Sequence, residues 1–562
     1  MTKGTTIIHR YLQRPARWQW PLFVALVAYY CIAMTIVAPV EGDGIAIAVA
    51  SQHLLENNIV GTAAAYRPSF QPGTYALVEL ASKVTGLDTY TFFSLTSALC
   101  CLIFIYISSS FVSALTQYPI PVCGILLLLL LPQIYSEGNY PNSTVLAAAG
   151  GSLAFLVLVN PKILGFDRLL LAGFFIGAGA FFRFDFALMG FSTLPLLLRR
   201  QESCKAIISF IIIGLAGGVV AIGLMLLFGA NPLDLLSTSR AHLNSSGSWI
   251  TILRLNALTL AEFFPISTAV LLLIGVFAVC RRGQAVELSL ILVGFLPLWL
   301  AYSMALTTPK YLYYALPFLL FGCITGLKYL FELAASGGNK ILGALTLVLV
   351  LQLLIGVNFE LREKPWRLER SPKLLPIAEF SFASGLLSEL SFHIGVGSAW
   401  PSHDGPSYPF GTFWGPLAWY HEKAASKKSL GELVRFAQSA EGAKLPYAST
   451  SWVGSRSQML GLTLAGYRLR SYTDTPQIWQ NGKETIMHYT DENYSFTADR
   501  LLMGIRQQTS PSDFILFTGL PREAYLVNSL GRQKERFYLP DPINGRFALF
   551  RLHSDIAPEI IF

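Results

Sequence analysis

The stretch RLLLAGFFIGAGAFFRFDFALMGFSTLPLLL, residues 168–198, decides the fold because long apolar runs flank a charged centre. A helix needs about 20 apolar residues to cross a bilayer, and this stretch is too long for one crossing. Arg183 and Asp185 interrupt it, and an ionisable group at membrane depth costs about 2.5–3.5 kcal/mol on insertion scales. We therefore predict two short helices, at 168–182 and 186–198, joined by a charged break.

Further apolar runs of spanning length lie on both sides of this stretch. They are at 20–39, 90–115, 119–136, 143–160, 205–229, 262–280, 286–306, 311–331 and 340–358. Together with the two short helices they predict about eleven spans. The predicted fold class is a polytopic α-helical membrane protein.

Charge composition divides the chain near residue 360. Only 13% of the 562 residues are charged, whereas soluble domains carry about 25%. The smaller C-terminal part nevertheless holds 22 of the 41 Lys and Arg and 20 of the 33 Asp and Glu. We predict a transmembrane domain at 1–359 and a soluble domain at 360–562. The net charge of +8 is scattered, which favours a topology signal over a nucleic-acid-binding surface.

Basic residues predict the orientation of the chain in the membrane. With the N-terminus inside, clusters such as Arg199-Arg200 and Arg281-Arg282 also fall inside, as the positive-inside rule requires. An odd number of spans then places the C-terminal domain outside. We predict a multi-pass protein of the inner (plasma) membrane, with a cytoplasmic N-terminus and an extracytoplasmic C-terminal domain.

The C-terminal domain mixes two kinds of pattern. Residues 514–517 and 546–551 read as strands, and residues 429–440 and 497–508 read as helices. This predicts an α/β or α+β domain. All seven cysteines precede residue 360, so no disulfide is expected in this domain.

The first outer loop, residues 40–90, opens with Glu41-Gly42-Asp43-Gly44. A carboxylate at the membrane surface, between glycines that let a ligand approach, can act as a general base or bind a cation. The alternative is a solvated turn after a helix. Helical spacing at 45–58, which contains His53, and at 68–85, which ends near Gly86, predicts two short helices in the same loop.

Arg183 and Asp185 are candidates because ionisable groups within apolar stretches usually face a cavity or a partner. Two other interpretations stay open. The first is an outside turn in which both groups meet water, and the second is a salt bridge with a structural role only.

Other outer-side residues suit an anionic ligand. Arg67 and Gln71 flank Pro68, and a guanidinium there matches a phosphate or carboxylate. Lys310 and Tyr311 begin a late span. Lys, Arg and Tyr at this level are also normal interfacial anchors, and His53 alone is more often a surface or packing residue. Asn142-Ser143-Thr144 matches a glycosylation sequon, which we discount because its loop lies close to the membrane.

The order of these features resembles the GT-C superfamily of membrane glycosyltransferases, which includes protein O-mannosyltransferases, lipid A aminoarabinose transferases and oligosaccharyltransferases. The matching pieces are Glu41 to Gly44, Tyr66 to Gly73 running into Leu77 to Gly86, and Lys310 to Pro317. The resemblance covers residues 20–330 in pattern and points to no single family.

The resemblance implies an inverting transfer of sugar from a polyprenyl-phosphate donor to a lipid, glycan or protein acceptor on the outer face. The implied roles are catalysis by Asp43 and Glu41, donor-phosphate binding by Arg67, Arg183, Lys310 and Tyr311, and support by Asp185, Gln71 and His53. Metal-dependent members often have D-x-D where this chain has E-x-D. A divalent cation, Mg or Mn, held by Glu41 and Asp43 is therefore left open.

Two other classes of protein compete with this interpretation. A transporter predicts broken helices in two related halves, and the sequence has one break and no matching half. A membrane-anchored cell-envelope assembly or binding protein predicts that Asp43 tolerates substitution.

Overall fold

The structure is a computed structural model, and its description covers two sets of residues. In the N-terminal part it covers 16–35, 47–48, 71–131, 133–136, 141–160, 163, 165–228, 232–233, 264–302 and 309–337. In the C-terminal part it covers 355–361, 376–381, 383, 388, 390–395, 397–399, 408–410, 435, 438, 450–454, 471–474, 477–480, 483–486, 495–497, 514–518, 523–527, 534–538, 547–551 and 559–560.

The described residues of the N-terminal part form helices joined by short turns and loops. Its α-helices are α1 Gln19–Thr35, α2 Pro72–Thr85, α3 Thr89–Thr116, α4 Ile120–Leu130, α5 Gln133–Ser136, α6 Ser143–Gly151, α7 Leu153–Val159, α8 Gly165–Phe182, α9 Thr193–Leu198, α10 Ser203–Leu227, α11 Ile266–Arg281, α12 Ala285–Tyr302 and α13 Leu316–Gly337. Two 3₁₀ helices, Phe184–Ser192 and Pro309–Ala315, precede α9 and α13. We call them the first and second 3₁₀ helices.

The chain is a multi-pass membrane protein. In the described residues, four helices are long and apolar enough to cross a bilayer: Thr89–Thr116, Gly165–Phe182, Ser203–Leu227 and Leu312–Leu333. Shorter apolar helices occupy the other predicted spans as far as 306. The predicted total of about eleven spans stays a prediction.

The last predicted span, 340–358, needs a correction at its end. Residues 338–354 lie outside the description, and Gly356 begins a strand, β1, rather than ending a helix. Val357 and Phe359, which follow Gly356, read equally well as the end of an apolar helix or as a strand. The domain boundary at 359/360 stays a prediction.

The predicted break at 182–186 is confirmed. Helix α8 ends at Phe182, and Arg183 has extended dihedrals (φ −157°, ψ 114°). The prediction of an α-helix over 186–198 is wrong in its first half, which is the first 3₁₀ helix. There the Phe186 ring lies against Gly151 and Gly179, where an added Cβ would come within 2.0 and 2.5 Å of the ring. The segment thus packs closely onto α6 and α8.

Glycines bring two pairs of helices into contact. Between α8 and α10, a Cβ added at Gly177 would lie 2.4 Å from the carbonyl oxygen of Gly217. Between α11 and α13, a Cβ added at Gly275 would lie 2.1 Å from the carbonyl oxygen of Gly322. Small residues are the usual means by which membrane helices approach this closely.

The first outer loop is described at 47–48 and from 71 onward. The predicted helix over 68–85 is α2, and Gly86 follows it with φ +70°, the left-handed conformation that ends many helices. In the predicted helix over 45–58, Ile47 and Ala48 are helical, and its other residues lie outside the description.

Apart from a few single residues, the described C-terminal segments form strands. They are β1 Gly356–Leu361, β2 Pro376–Ser381, β3 Leu390–Gly395, β4 Gly397–Ala399, β5 Tyr408–Phe410, β6 Thr450–Gly454, β7 Ser471–Asp474, β8 Gln477–Gln480, β9 Lys483–Ile486, β10 Ser495–Thr497, β11 Phe514–Thr518, β12 Glu523–Val527, β13 Lys534–Tyr538, β14 Phe547–Arg551 and β15 Glu559–Ile560. The largest sheet has the order β15-β14-β11-β6-β7.

The pairing within that sheet is mixed. Strand β11 pairs parallel to β6 and antiparallel to β14, and β6 pairs parallel to β7. The two predicted strands, 514–517 and 546–551, are thus confirmed as β11 and β14, and the structure pairs them as neighbours. The predicted helices at 429–440 and 497–508 lie outside the description, apart from residues 435 and 438. The α/β class of the whole domain therefore stays a prediction.

Candidate functional site

The charged break holds a buried ion pair. Arg183 and Asp185 are 4% and 6% exposed. The Nε of Arg183 donates to both carboxylate oxygens of Asp185, at 3.1 and 2.9 Å. Burial excludes the interpretation of this segment as a turn in which both groups meet water. A buried charge needs such a partner, because desolvation costs several kcal/mol per ion.

Two further polar side chains complete the network. The hydroxyl of Tyr314 donates to Oδ1 of Asp185 at 3.1 Å, and Nη1 of Arg183 donates to Oγ of Ser143 at 3.1 Å. We call Ser143, Arg183, Asp185 and Tyr314 the Arg183 cluster. Its members come from α6, the break and the second 3₁₀ helix, so it joins three separate parts of the chain.

Local structure explains how the outlying members are held. Ser143 is the first residue of α6, and Asn142 before it caps the helix by accepting from the Thr144 amide at 2.9 Å. The ring of Tyr314 packs edge-on against Phe186, with centroids 4.9 Å apart at 80°. Tyr314 is fully buried. Capping therefore positions the start of α6, which carries Ser143, and ring packing positions Tyr314.

The first outer loop contacts the end of α8 just before the break. The Thr74 hydroxyl donates to the carbonyl of Phe182 at 2.9 Å. A Cβ added at Gly73 would lie 2.6 Å from the Phe181 ring and 2.9 Å from the Phe181 carbonyl oxygen. The first turn of α2 therefore docks next to Arg183, and glycine at 73 permits the close approach.

Gln71 lies at the start of this docked turn. It is 9% exposed, and its backbone carbonyl oxygen accepts from the Thr74 amide at 3.1 Å. Its side-chain Oε1 is buried and has no hydrogen-bond partner among the residues that the structure describes. Buried amide oxygens are rarely left without a donor, so this oxygen is a candidate ligand contact.

A second contact brings the segment after the acidic motif to the same region. The carbonyl of Ala48 accepts from the Thr89 hydroxyl at 2.8 Å. Ile47 is buried in a cluster with Tyr75 of α2 and Leu146 of α6, and Phe182 packs against this cluster. The first outer loop, α6 and the end of α8 therefore share one apolar contact region beside the Arg183 cluster.

The other predicted site residues are described only in part. Glu41, Asp43, His53 and Arg67 lie outside the described residues. Lys310 and Tyr311 are described by their backbone alone, in the second 3₁₀ helix that also carries Tyr314. The structure thus brings Arg183 and Asp185 together and docks Gln71 near the same break.

Sequence reasoning did not select two members of the Arg183 cluster. Ser143 enters the sequence analysis only as part of a glycosylation sequon, and Tyr314 lies unnamed within the piece from Lys310 to Pro317. The available signal for Tyr314 was its position four residues after Lys310, which is itself a candidate site residue. For Ser143 the signal was its place at a predicted helix start.

A metal centre was left open on Glu41 and Asp43. In the part of the chain that the structure describes, no group of three or more His, Cys, Asp or Glu residues has a metal-binding arrangement. Glu41 and Asp43 are not in that part, so the cation stays a proposal.

Comparison with known proteins gives structural neighbours only. The chain is similar to the crystal structure of ArnT from Cupriavidus metallidurans bound to undecaprenyl phosphate, with 11% identity, a TM-score of 0.45, and coverage of 95% of this chain and 98% of that chain. The apo structure of the same protein gives 11% identity and a TM-score of 0.45, covering 90% and 92%.

ArnT is an aminoarabinose transferase of the GT-C family, the type that the sequence pattern resembles. No family model matches the chain, and no curated protein matches it.

Proposed function

We propose that this protein is a membrane glycosyltransferase that moves a sugar from a polyprenyl-phosphate donor to a lipid, glycan or protein acceptor. Transfer takes place at the outer face of the inner (plasma) membrane. The observation that carries the proposal is the buried Arg183 cluster, beside which the first outer loop docks through Thr74 and Phe182.

Chain connectivity supports a role for the acidic motif at this place. Asp43 precedes Ile47 by four residues, which extend over at most about 14 Å. Ile47 itself packs with Leu146 of α6, the helix that begins at Ser143. We therefore propose that Glu41 and Asp43 act at the same end of the helical domain as the Arg183 cluster.

In the proposed reaction Asp43 is the general base. It accepts the proton of the acceptor hydroxyl as that oxygen bonds to the anomeric carbon of the sugar. The bond from this carbon to the phosphate oxygen breaks, and the electron pair leaves with the polyprenyl phosphate. Attack from the face opposite the phosphate inverts the anomeric centre through an oxocarbenium-like transition state. Glu41 assists Asp43.

The leaving phosphate needs cationic groups. We assign this role to Arg183, Arg67 and Lys310, with Tyr311 as an additional hydrogen-bond donor. Lys310 precedes Tyr314 by four residues in one 3₁₀ helix, a rise of about 8 Å along the axis. Asp185 accepts hydrogen bonds from Arg183 and from Tyr314. Tyr314 therefore fixes Asp185, and Asp185 fixes the orientation of the Arg183 guanidinium.

We assign the sugar of the donor to the region next to the Gln71 side chain. A sugar hydroxyl is a suitable donor for the buried Oε1 of Gln71, which has no partner among the described residues. His53, in the same outer loop, is a second supporting residue. A divalent cation, Mg or Mn, on Glu41 and Asp43 would neutralise part of the negative charge of the donor when bound. The C-terminal domain would cover the pocket from outside and contribute to the choice of acceptor.

The test uses full-length protein in nanodiscs with radiolabelled polyprenyl-phosphate sugars, in the presence and absence of Mg²⁺ or Mn²⁺. We expect transfer or slow donor hydrolysis with at least one sugar. A chelator that abolishes turnover would assign the cation to the reaction. Absence of both turnover and donor binding with every lipid-linked sugar would contradict the proposal.

A further inference from the structure

Three arginines lie at the end of the helical domain that is opposite the Arg183 cluster. Arg168 is in the first turn of α8, and Arg199 and Arg200 lie in the turn between α9 and α10. Arg168 precedes Arg183 by 15 residues along α8, so about 20 Å of helix separates them. We call Arg168, Arg199 and Arg200 the Arg168 cluster.

The ends of two other helices hold Arg199 and Arg200 in place. Nη2 of Arg199 donates to the carbonyl of Leu115, in the last turn of α3, at 3.2 Å. Nη2 of Arg200 donates to the carbonyl of Val159, the last residue of α7. Carbonyls at the end of a helix have no partner within the helix, so they are available to these guanidinium groups. The two arginines are thus positioned while each keeps its full positive charge.

Arg168 and Arg200 have no carboxylate partner in the described part of the chain. Neither takes part in an ion pair there, although the exposed Asp167 is next to Arg168 in the sequence. Two other carboxylates of this region already have partners: Glu287 lies 3.9 Å from Arg199, and Glu202 lies 3.2 Å from Lys205. The Arg168 cluster therefore carries an excess of positive charge.

The Arg168 side chain also has an unused hydrogen-bond donor. Its Nε is buried and has no hydrogen-bond partner among the residues that the structure describes. Buried donors are rarely left in this state. Partial burial of Arg200, and then the like charges of Arg168 and Arg199, lower the pKa of Arg200. An anion in contact with Arg168 and Arg200 would supply the missing acceptor and offset the repulsion between the arginines.

The surface next to the arginines is apolar. Leu171, one turn after Arg168 on α8, is exposed, and so are Ile207 and Ile208 near the start of α10. Both α8 and α10 are long and apolar enough to cross a bilayer. A lipid whose head group contacts the arginines would therefore lay its acyl chains against these two helices.

We propose that the Arg168 cluster binds the head-group phosphate of an anionic membrane phospholipid. Guanidinium groups match phosphate oxygens in geometry and in charge. Basic pockets between membrane helices on the cytoplasmic side are typical sites for anionic head groups. The inference goes beyond the proposed function, because it concerns the opposite end of the helical domain and a lipid other than the sugar donor. It holds whether or not the protein transfers sugar.

The competing interpretation is that these arginines act only as a topology signal. The positive-inside rule requires basic residues near the ends of the spans, but it requires no bound lipid and no preference among phospholipids. A site formed by the Arg168 cluster predicts that a lipid with net negative charge binds more tightly than one whose phosphate is balanced by choline. Lipid selectivity therefore distinguishes the two interpretations.

The experiment measures lipids retained by full-length protein in detergent, by native mass spectrometry. The probes are phosphatidylglycerol and phosphatidylcholine with the same acyl chains, and inorganic phosphate is added as a competitor. The proteins are wild type, Arg168→Gln, Arg168→Gln/Arg200→Gln and Arg282→Gln. Because Nε of Arg168 has no partner in the described residues, Arg168→Gln should leave the fold intact, and thermal unfolding of each variant checks this.

Arg282→Gln is the matched control. It removes the same charge on the side of the membrane that is predicted for Arg200, and Arg282 already has partners. Its guanidinium pairs with Glu332 and lies over the ring of Tyr329, 5.7 Å from the centroid. A change in total charge alone would affect Arg282→Gln and Arg168→Gln equally.

We expect wild type to retain phosphatidylglycerol in preference to phosphatidylcholine. Each arginine near a head group contributes about fivefold in affinity, so Arg168→Gln should weaken phosphatidylglycerol binding about fivefold and the double variant about 30-fold. Arg282→Gln should bind it as wild type does.

Four results would overturn the inference. Equal retention of the two lipids by wild type does so without any variant. The others are unchanged phosphatidylglycerol binding in the double variant, an equal loss in Arg282→Gln, and displacement of the lipid by inorganic phosphate at the same concentration. The last result would mean that the cluster binds a free anion and not a lipid.

Discussion

Tyr314 donates a hydrogen bond of 3.1 Å to Oδ1 of Asp185, which lies 129 positions earlier in the chain. This bond connects the second 3₁₀ helix, which carries Lys310, to the break that carries Arg183. It makes Tyr314 a positioning residue, because Tyr314 acts on Arg183 through the shared carboxylate.

Removing the Tyr314 hydroxyl should lower both stability and function. Tyr314→Phe leaves a buried carboxylate with one donor fewer, at a cost of about 1.5–3 kcal/mol in unfolding free energy. We also expect weaker binding of polyprenyl phosphate, because Asp185, which orients Arg183, loses the bond that holds it in place. Unfolding in detergent and lipid binding are the two measurements.

Tyr313→Phe is the matched control for this substitution. Its hydroxyl donates to the backbone carbonyl of Ile134 at 3.0 Å, outside the Arg183 cluster, and Tyr313 is equally buried. We expect a smaller loss of stability, about 0.5–1.5 kcal/mol, and unchanged lipid binding. Equal loss of lipid binding in both variants would reduce Tyr314 to a general packing residue.

The ion pair should be sensitive to the loss of either member. Arg183→Leu or Asp185→Leu leaves one buried charge without its partner, at a cost of about 3–5 kcal/mol. The double variant removes both charges and should be more stable than either single variant. Unfolding curves of the three proteins in one detergent test this.

An exposed salt bridge serves as the contrast to this buried ion pair. Lys205 and Glu202 lie 3.2 Å apart with side chains 72% and 79% exposed, so Glu202→Gln should leave stability unchanged. If the double Leu variant were less stable than both single variants, the losses in the single variants would not come from an unpaired buried charge, and this account of the pair would be wrong.

Docking of the first outer loop should depend on Gly73. Gly73→Ala brings a methyl group to 2.6 Å from the Phe181 ring and 2.9 Å from its backbone carbonyl oxygen. Overpacking of this kind costs about 1–3 kcal/mol. We expect reduced sugar transfer as α2 moves away from the break. In Gly150→Ala the new methyl group lies 3.9 Å from Phe182, so activity should persist.

The predicted orientation can be tested with cysteines. Ser381 is exposed on β2, so Ser381→Cys should react with a membrane-impermeant maleimide applied to intact cells. The natural Cys204 is exposed and predicted to lie inside, so it should react only after permeabilisation. The reverse pattern would invert the orientation of the protein and exclude transfer at the outer face.

The break was predictable from sequence, and its network was not. Two ionisable residues inside a long apolar stretch carry a large cost in a membrane, so Arg183 and Asp185 stand out in the sequence alone. Their partner Tyr314 could not be identified, since tyrosines near a span end are common interfacial anchors. Helix packing, which sequence pattern does not specify, brings it to Asp185.

The type of helix at 184–192 and the start of strand β1 were also not predictable from the hydrophobic pattern. Residues 186–191 are apolar and read as the start of an α-helix, but they belong to a 3₁₀ helix, in which Phe186 packs closely on Gly151 and Gly179. At the other end of the domain, Gly356 starts a strand within an apolar run that reads equally well as a span. Hydrophobic periodicity alone does not separate these alternatives.

The most direct test of the central claim compares sugar transfer by wild type, Asp43→Asn and Asp88→Asn in nanodiscs. Asp88 is the matched carboxylate because it also belongs to the first outer loop, where it caps α3 by accepting from the Thr91 amide at 2.8 Å. Asparagine caps helices about as well as aspartate, so that variant should keep its fold and its turnover. We predict that Asp43→Asn binds polyprenyl phosphate as wild type does and transfers no sugar. Retained turnover in Asp43→Asn would contradict the account.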